Sequence, residues 1–310
     1  MMTTFHSTRV GRCLLGVLAL SGLLLLMPPA QAQQSFTNPD DAASALATAV
    51  RSGMKQDILK VLGADGEDIV GSGDDVADAD VRSKFVSAYD VKHSVKVDGK
   101  KATLIIGADD FPFPVPLVQT RAGWKFDTAA GRQEILYRRI GRNELDTIQT
   151  CLAFVDAEDD YADKDRGDGV GVYAQHVVSS PGKKDGLFWP SDNNDSPLGQ
   201  LAADASAEGY KAGSEPQPYH GYYYRILTQQ GASAPGGAMS YIVNGKMIGG
   251  FALVAYPADY GNSGVMTFIV NHAGTVYQKD LGGDTEARAK SMTSFDPDKT
   301  WTKVEAQNSK

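Results

Sequence analysis

The acidic segment "DAEDDYADKDRGDG" contains the residues that most resemble metal ligands in this sequence. A calcium loop needs oxygen donors at fixed offsets and a bidentate glutamate at its twelfth position. If Asp163 is the first ligand, Asp165 and Asp168 are further oxygen donors. However, the fifth position is Gly167 and the twelfth is Ala174, so the match is poor. The three aspartates are weak metal candidates, and a hydrated helix end with its loop is the favoured alternative.

Aromatic side chains form the best candidate for a binding surface. Tyr222 and Tyr224 are two residues apart, so they would share one face of a strand while Tyr223 takes the other. Trp189 precedes them in the sequence. Grooves that bind sugars or peptides use such rings, but packing within a sheet uses the same residue types. Trp189, Tyr222 and Tyr224 are therefore candidate ligand-binding residues, with strand packing as the alternative.

The sequence contains no recognisable catalytic constellation. It lacks a nucleophile elbow, a phosphate-binding loop and a dinucleotide-binding fingerprint. None of the four histidines beyond the N-terminal segment has a histidine or cysteine at a spacing typical of zinc sites: His93, His176, His220 and His272. We therefore assign no catalytic residue and expect no cofactor. Carboxylates are abundant, but sequence alone does not show which of them meet in space.

The N-terminal segment has the features of a secretory signal peptide. Arg9 and Arg12 precede an apolar run over Cys13–Met27, and Ala30 and Ala32 supply small residues for a signal peptidase. The apolar run is shorter than the roughly 20 residues that a membrane span needs. We predict a signal peptide over residues 1–32 and a periplasmic or secreted protein with no membrane span after cleavage. An uncleaved membrane anchor is the alternative.

Removal of the first 32 of 310 residues leaves a mature chain of 278 residues, a length typical of two domains. The removed segment contains two arginines and no acid, so the formal net charge changes from −8 to about −10. This charge repels a phosphate backbone, so we expect no nucleic-acid partner. Cys151 is the only cysteine left, which excludes an intrachain disulfide, and its apolar neighbours predict a buried thiol.

Residues 33–128 are predicted to form an N-terminal α+β domain. Asn38 is a suitable helix N-cap, and Pro39 fits the first helical position. Strand-like segments at 91–97 and 102–106 follow, separated by a turn signal. In the next segment, "FPFPVPL", prolines alternate with apolar residues, which predicts an edge strand with its apolar set on one face. A proline-rich ligand for a partner domain is the alternative.

Residues 129–310 are predicted to form a second domain, a long helix plus an antiparallel sheet. The helix should extend from about residue 133 to residue 161. Its apolar stripe recurs at helical spacing: Leu145, Ile148, Leu152 and Val155. We expect this stripe to pack on the sheet. Arg138, Arg139 and Arg142 occupy the half of the helix that the helix dipole disfavours for cations, so we expect them to pair with carboxylates elsewhere.

The remainder of the chain predicts an antiparallel meander. Apolar, β-rich segments recur from residue 222 to residue 278, with short connections between them. One connection, Asn244-Gly245, suits a two-residue type I′ hairpin. The expected fold class is thus α+β: helices and a small antiparallel sheet, then the long helix on a C-terminal meander.

Long segments of the chain resemble the bacterial domain-of-unknown-function 2950 family, and the resemblance covers nearly all of the mature sequence. The segments include "GSGDDVAD", "GWKFDTAAG", "RRIGRNEL", "YIVNGKMIGGFALVAYPADYGNSGVMTFIVN" and "SFDPDKTW". The resemblance implies a secreted or periplasmic bacterial protein and supplies no catalytic residues. The C-terminal half is also weakly similar to the globular part of type IV pilin-like proteins. Its helix begins with arginines rather than an apolar anchor, so filament formation is not expected.

These observations predict an exported, soluble protein without catalytic activity. The leading hypothesis is a protein that binds or scaffolds another component of the bacterial envelope, either a protein or a glycan. The rival hypothesis is a carboxylate-dependent hydrolase of envelope polymers. Such an enzyme would need two carboxyl groups in one cleft at the separation of about 5–9 Å that glycosidases use.

Overall fold

The computed structural model describes residues 33–189, 195–208, 210 and 217–305. The predicted signal peptide lies outside these residues. Within them the fold is α+β, as expected: helices and a small antiparallel sheet precede a long helix and a C-terminal antiparallel sheet. None of the helices in these ranges is long and apolar enough to cross a bilayer.

The elements are numbered in chain order. The helices are α1 (Pro39–Ser52), α2 (Lys55–Leu62), α3 (Glu67–Val70), α4 (Asp75–Val91), α5 (Thr128–Ala162), α6 (Gly199–Glu208) and α7 (Thr285–Ser291). The strands of the first sheet are β1 (His93–Asp98), β2 (Lys101–Ile106), β3 (Phe111–Pro112), β4 (Leu117–Thr120) and β5 (Gly123–Phe126). Later strands are β6 (His176–Val178), β7 (Gly186–Phe188), β8 (Tyr222–Leu227), β9 (Gln229–Gln230), β10 (Met239–Ser240), β11 (Ile242–Val243), β12 (Lys246–Met247), β13 (Ala252–Pro257), β14 (Met266–Asn271), β15 (Tyr277–Asp280) and β16 (Thr302–Lys303).

Helix α1 begins where the sequence predicted. The Asn38 side chain accepts a hydrogen bond from the Asp41 N–H at 2.8 Å, and Pro39 occupies the first turn. Gly53 ends the helix in the left-handed conformation, with φ of 69°. Helix α1 packs on α2 and β5. The buried apolar residues of this half form the first core, which includes Leu46, Val50, Ile58, Leu104, Leu117 and Phe126.

The proline-rich segment is not the continuous strand that its alternation predicted. Phe111–Pro112 forms β3 on β2, and the chain rejoins β2 only at Leu117, where β4 begins. Pro114 and Pro116 have no N–H to donate, so regular pairing stops between the two strands. Phe111 is 45% exposed, whereas Val115 and Leu117 are fully buried and Phe113 packs against the first core, so all the apolar residues except Phe111 share the buried face.

Helix α5 is shared between the two halves of the protein. It starts earlier than predicted, because Asp127 caps it by accepting a hydrogen bond from the Ala130 N–H. Its 35 residues span about 50 Å at the usual helical rise. The first half packs Ile135 on the first core. The second half buries Phe154 in the second core, defined as the buried apolar residues of the C-terminal half.

The predicted apolar stripe of α5 is half right. Val155 lies in the second core and Ile148 packs against it, whereas Leu145 is 47% exposed and Leu152 is 36% exposed. The buried face also contains Asn143, Thr147, Cys151, Phe154, Glu158 and Tyr161. Its polar members have specific partners; the Asn143 amide, for example, donates to the Ser263 carbonyl at 2.8 Å. Hydrophobicity alone misses part of the buried face, because hydrogen bonds also stabilise this interface.

The C-terminal antiparallel meander is present, with strand order β16-β15-β14-β13-β8. Helix α5 packs on β13 and β14, and α7 packs on β13. All six residues of β13 are buried. The predicted hairpin at Asn244-Gly245 is confirmed: both residues have positive φ, 51° and 80°, as a type I′ turn requires. The second core includes Phe154, Leu187, Tyr241, Phe251, Phe268 and Phe295.

Candidate functional site

Helix α4 packs loosely on the first core. Only Asp78 and Tyr89 are buried among its 17 residues. Val81 is 49% exposed, and Phe85 is only half-buried. The apolar side chains of α4 therefore face a space that the protein does not fill.

That space is an apolar cavity of about 480 Å³ between α4, the first core and the first half of α5. Its volume falls within the range of about 300–1,000 Å³ that is typical of small-molecule sites. Its apolar lining includes Leu46, Ile58, Ile69, Phe85, Phe113 and Ile135. Phe85 contacts Phe113 edge to face, with ring centroids 5.4 Å apart. The cavity can therefore hold a hydrophobic ligand.

Five cations and two acids also line this cavity: Arg82, Lys84, Arg138, Arg139, Arg142, Asp78 and Asp109. Lys84 pairs with Asp80, four residues before it on the same helix. Arg138 likewise pairs with Glu134 on its own helix, and its guanidinium lies 4.8 Å from the centre of the Phe111 ring. The expectation that Arg138 pairs with a carboxylate elsewhere in the fold is wrong.

Arg139 connects the two halves of the protein. Its guanidinium donates to the carbonyls of Asp68 and Ile69, each at 2.7 Å, and also to the Asn262 side chain. Burial lowers the pKa of Arg139, and nearby carboxylates, including that of Asp78, oppose this lowering. Its direct partners are carbonyl and amide oxygens rather than the carboxylates expected. Arg139 is therefore a structural cation that also forms part of the cavity wall.

A polar cleft of about 660 Å³ adjoins the apolar cavity, and Val70, Asp78 and Arg82 line both. Its charged lining is mostly acidic: Lys55, Asp65, Glu67, Asp68, Asp75, Asp78, Arg82, Arg132 and Asp259. Arg132 pairs with Asp68 across the cleft wall. The cleft lies where the N-terminal helices meet the loop before β14.

Asp74 fixes the first turn of α4 to the C-terminal half. One carboxylate oxygen caps α4 by accepting hydrogen bonds from the N–H groups of Val76 and Ala77. The other accepts a bond of 2.9 Å from the Gly221 N–H and one of 2.8 Å from the Tyr210 hydroxyl. Asp74 is only 2% exposed. The N-terminal end of α4 is thus anchored, although the rest of the helix is loosely packed.

Comparison with known proteins places the chain in one family. Residues 33–304 match the family model described as "Protein of unknown function (DUF2950)". The chain belongs to the DUF2950 family. No curated protein and no solved structure matches it. The match confirms the family resemblance inferred from the sequence.

Two of the three candidate aromatic residues of this DUF2950 protein are buried, and the third, Tyr224, is half-buried. Trp189 is 2% exposed, between the cationic side chains of Arg166 and Lys184. Tyr222 is fully buried, and burial raises the pKa of its hydroxyl, which donates to a backbone carbonyl. Tyr224 also has a raised pKa through burial. Tyr222 and Tyr224 both pack with the second core, and none of the three rings forms an open surface.

The three candidate metal ligands lie at and beyond the end of α5. Asp163 is the exposed C-cap of the helix. Asp165 accepts hydrogen bonds from the N–H groups of Gly167 and Gly169, which lower its pKa. Asp168 lies 3.5 Å from the Lys246 ammonium. Among the described residues, no group of three or more potential ligands is arranged to hold a metal ion.

Two titratable groups of the DUF2950 protein are buried on α5. Cys151 is fully buried, as the sequence predicted, and burial raises the pKa of its thiol to about 12. Glu158 is also fully buried, and burial raises its pKa well above the usual value. One Glu158 oxygen accepts from the Ala174 N–H at 2.8 Å, while the other has no hydrogen-bond partner among the described residues. Both groups lie in the second core, away from the cavity.

The residues of the apolar cavity were not identified as a site from the sequence. Val81 and Phe85 could have indicated it. Both are apolar residues of one helix, and the opposite surface of that helix has few apolar residues that could be buried instead. The segments that identify the DUF2950 family supplied a second signal. "GSGDDVAD" contributes Asp78, and "RRIGRNEL" contributes Arg139 and Arg142, so the two segments meet at the cavity.

Proposed function

We propose that this protein is exported and acts in the periplasm or outside the cell as a non-catalytic binding protein, with its ligand in the apolar cavity beneath α4. The observation that supports the binding site is the cavity of about 480 Å³ left between a loosely packed helix and an otherwise filled core. The apolar side chains that line this open space are exposed to water. A bound apolar ligand would remove their surface from water, which is favourable.

Export is supported by the charged region, apolar run and small residues of the N-terminal segment. The family match begins at residue 33, the first residue after the predicted cleavage site. In a bacterial host, the full chain should yield a periplasmic or secreted product whose mass corresponds to an N-terminus at Gln33. A cytoplasmic product that retains residues 1–32 would contradict the proposal.

Binding can be tested with the mature chain and a neutral, environment-sensitive probe such as N-phenyl-1-naphthylamine. The probe should bind with increased fluorescence, and Val81→Trp should weaken its binding at least tenfold, because Val81 is an exposed residue of the cavity lining. Ser83→Trp is the matched control, since Ser83 is exposed on the same helix but does not line the cavity. Equal binding by both variants, or no binding by the parent chain, would reject the cavity as the site.

A carboxylate-dependent hydrolase of envelope polymers is the second candidate. The observation that favours it is the polar cleft, which brings Asp68, Asp78 and Asp259 together on one lining. Incubation of the mature chain with cell-wall glycan and peptide fragments tests it. Turnover abolished by Asp78→Asn but not by Asp98→Asn would support the hydrolase. The binding-protein proposal expects no turnover from any of these chains.

A further inference from the structure

The mouth of the apolar cavity contains two arginines with no ionic partner among the described residues. Lys84 and Arg138 pair with carboxylates of their own helices, and Arg139 is bonded to carbonyl and amide oxygens. In the same part of the chain, neither Arg82 nor Arg142 forms an ion pair. Arg82 belongs to α4 and Arg142 to α5, so the two side chains line the cavity from different helices.

A guanidinium binds an oxyanion through two parallel N–H donors, which makes arginine well suited to recognise carboxylate and phosphate groups. Here Arg82 is half-buried and Arg142 is exposed, and both side chains line the apolar space. The combination matches one class of ligand in both respects. It is an amphiphile whose hydrocarbon part enters the cavity and whose anionic head remains at the mouth.

The charge of the lining favours a head group with a single negative charge. Its five cations and two acids give a formal charge of +3. Asp80 and Glu134, which neutralise Lys84 and Arg138, reduce this to +1. One negative charge balances the site, whereas a doubly charged head would leave it negative. The volume of about 480 Å³ also lies in the lower half of the usual range for ligand pockets, which favours one hydrocarbon chain over two.

We propose that the ligand is a single-chain amphiphile with a carboxylate head, held between Arg82 and Arg142. This inference rests on the proposed function, because it requires the cavity to be the binding site. It specifies the class of ligand: the two arginines recognise the anionic head group, and the apolar lining accepts the hydrocarbon chain.

The test is calorimetric titration of the mature chain with four ligands of equal chain length: dodecanoate, dodecyl phosphate, dodecanol and dodecylamine. Dodecanoate should bind at least tenfold more tightly than dodecanol, because a hydrogen bond to a charged group contributes about 1.5–3 kcal/mol. Dodecylamine should bind most weakly. Arg82→Gln and Arg142→Gln should each weaken dodecanoate binding about tenfold and leave dodecanol binding unchanged. Arg121→Gln, at an exposed arginine outside the cavity, is the control.

Each alternative result has a distinct meaning. If dodecanol and dodecanoate bind equally, and the arginine variants do not differ from the parent chain, the carboxylate proposal fails while the cavity remains a binding site. If neither ligand nor the neutral probe binds, the proposed function fails with it. Tighter binding of dodecyl phosphate than of dodecanoate would overturn the choice of a singly charged head. Tightest binding of dodecylamine would show that Asp78 and Asp109 determine the selectivity.

Discussion

The two cores of this protein differ in how completely they are filled. In the second core, every residue of β13 is buried and large aromatic residues such as Phe251 and Phe268 are fully enclosed. In the first core, α4 leaves an apolar cavity of about 480 Å³ beside half-buried Phe85. A close-packed core resists change, whereas apolar side chains that face an open space can be covered by a ligand. Under the proposed function, the second core supports the fold and the first core binds the ligand.

The largest expected effect is the loss of an aromatic ring from the filled core. Phe268→Ala should lower the free energy of unfolding by about 3–5 kcal/mol, because it removes a fully buried side chain and leaves a new cavity. Phe85→Ala should cost only about 1 kcal/mol, because this ring is half-buried beside an existing cavity. Urea denaturation of both variants measures the difference. Equal losses would remove the distinction between the cores.

The next effect concerns the anchor of α4. Asp74→Ala should lower the free energy of unfolding by about 2–3 kcal/mol, since it removes a helix cap and leaves the buried Gly221 N–H without its acceptor. Asp75→Ala, at an exposed neighbour, is the control. Hydrogen exchange should also quicken along α4 in the Asp74 variant. A variant as stable as the control would show that the C-terminal half does not hold this helix.

Helix α5 contains two glycines in different environments, one tightly packed and one with open space around it. A Cβ atom at Gly131 would lie 2.6 Å from the Val115 Cα and 2.7 Å from the Pro114 carbonyl oxygen. Gly131→Ala should therefore cost about 1–3 kcal/mol of stability. A Cβ at Gly141 meets nothing within 4 Å, so Gly141→Ala should stabilise the helix by up to about 1 kcal/mol. Thermal unfolding measures both, and a change of the same sign in each would contradict the packing.

The second core contains one group that makes its stability depend on pH. The pKa of Glu158 is raised in the folded state, so folding favours its protonated form. The stability contributed by Glu158 is full below its unfolded pKa and decreases as the pH rises through its folded pKa. Glu158→Gln should flatten this part of the curve of unfolding free energy against pH. Asp156→Asn, at an exposed acid on the same helix, should leave the curve unchanged.

Much of the fold could be predicted from local chemistry. The Asn38 cap, the Asn244-Gly245 turn and the C-terminal meander each depend on residues close together in the chain, and each was predicted correctly. The polar part of the buried face of α5 was not, because Asn143 finds its partner 120 residues later, at Ser263. In a local sequence pattern, a polar residue whose hydrogen-bond partner lies that far along the chain cannot be distinguished from an exposed polar residue.

The candidate site was harder to predict for the same reason. The cavity combines residues from α1, α2, α4, the proline-rich segment and α5, and its defining property is an open space between these elements rather than a sequence motif. The aromatic residues chosen from the sequence, including Trp189 and Tyr222, pack inside the protein instead. The division into two domains after residue 128 remains a prediction. In the structure, the first residue of α5 is Thr128, and α5 joins both cores.

Helix α5 is continuous and packs in both cores. The two halves therefore cannot unfold independently unless this helix breaks. Heating or urea should therefore give a single cooperative transition. Any molecule that occupies the space beneath α4 should then raise the melting temperature of the C-terminal sheet as much as that of the helices it touches. The half with the open cavity and the half with the filled core should therefore unfold together and be stabilised together.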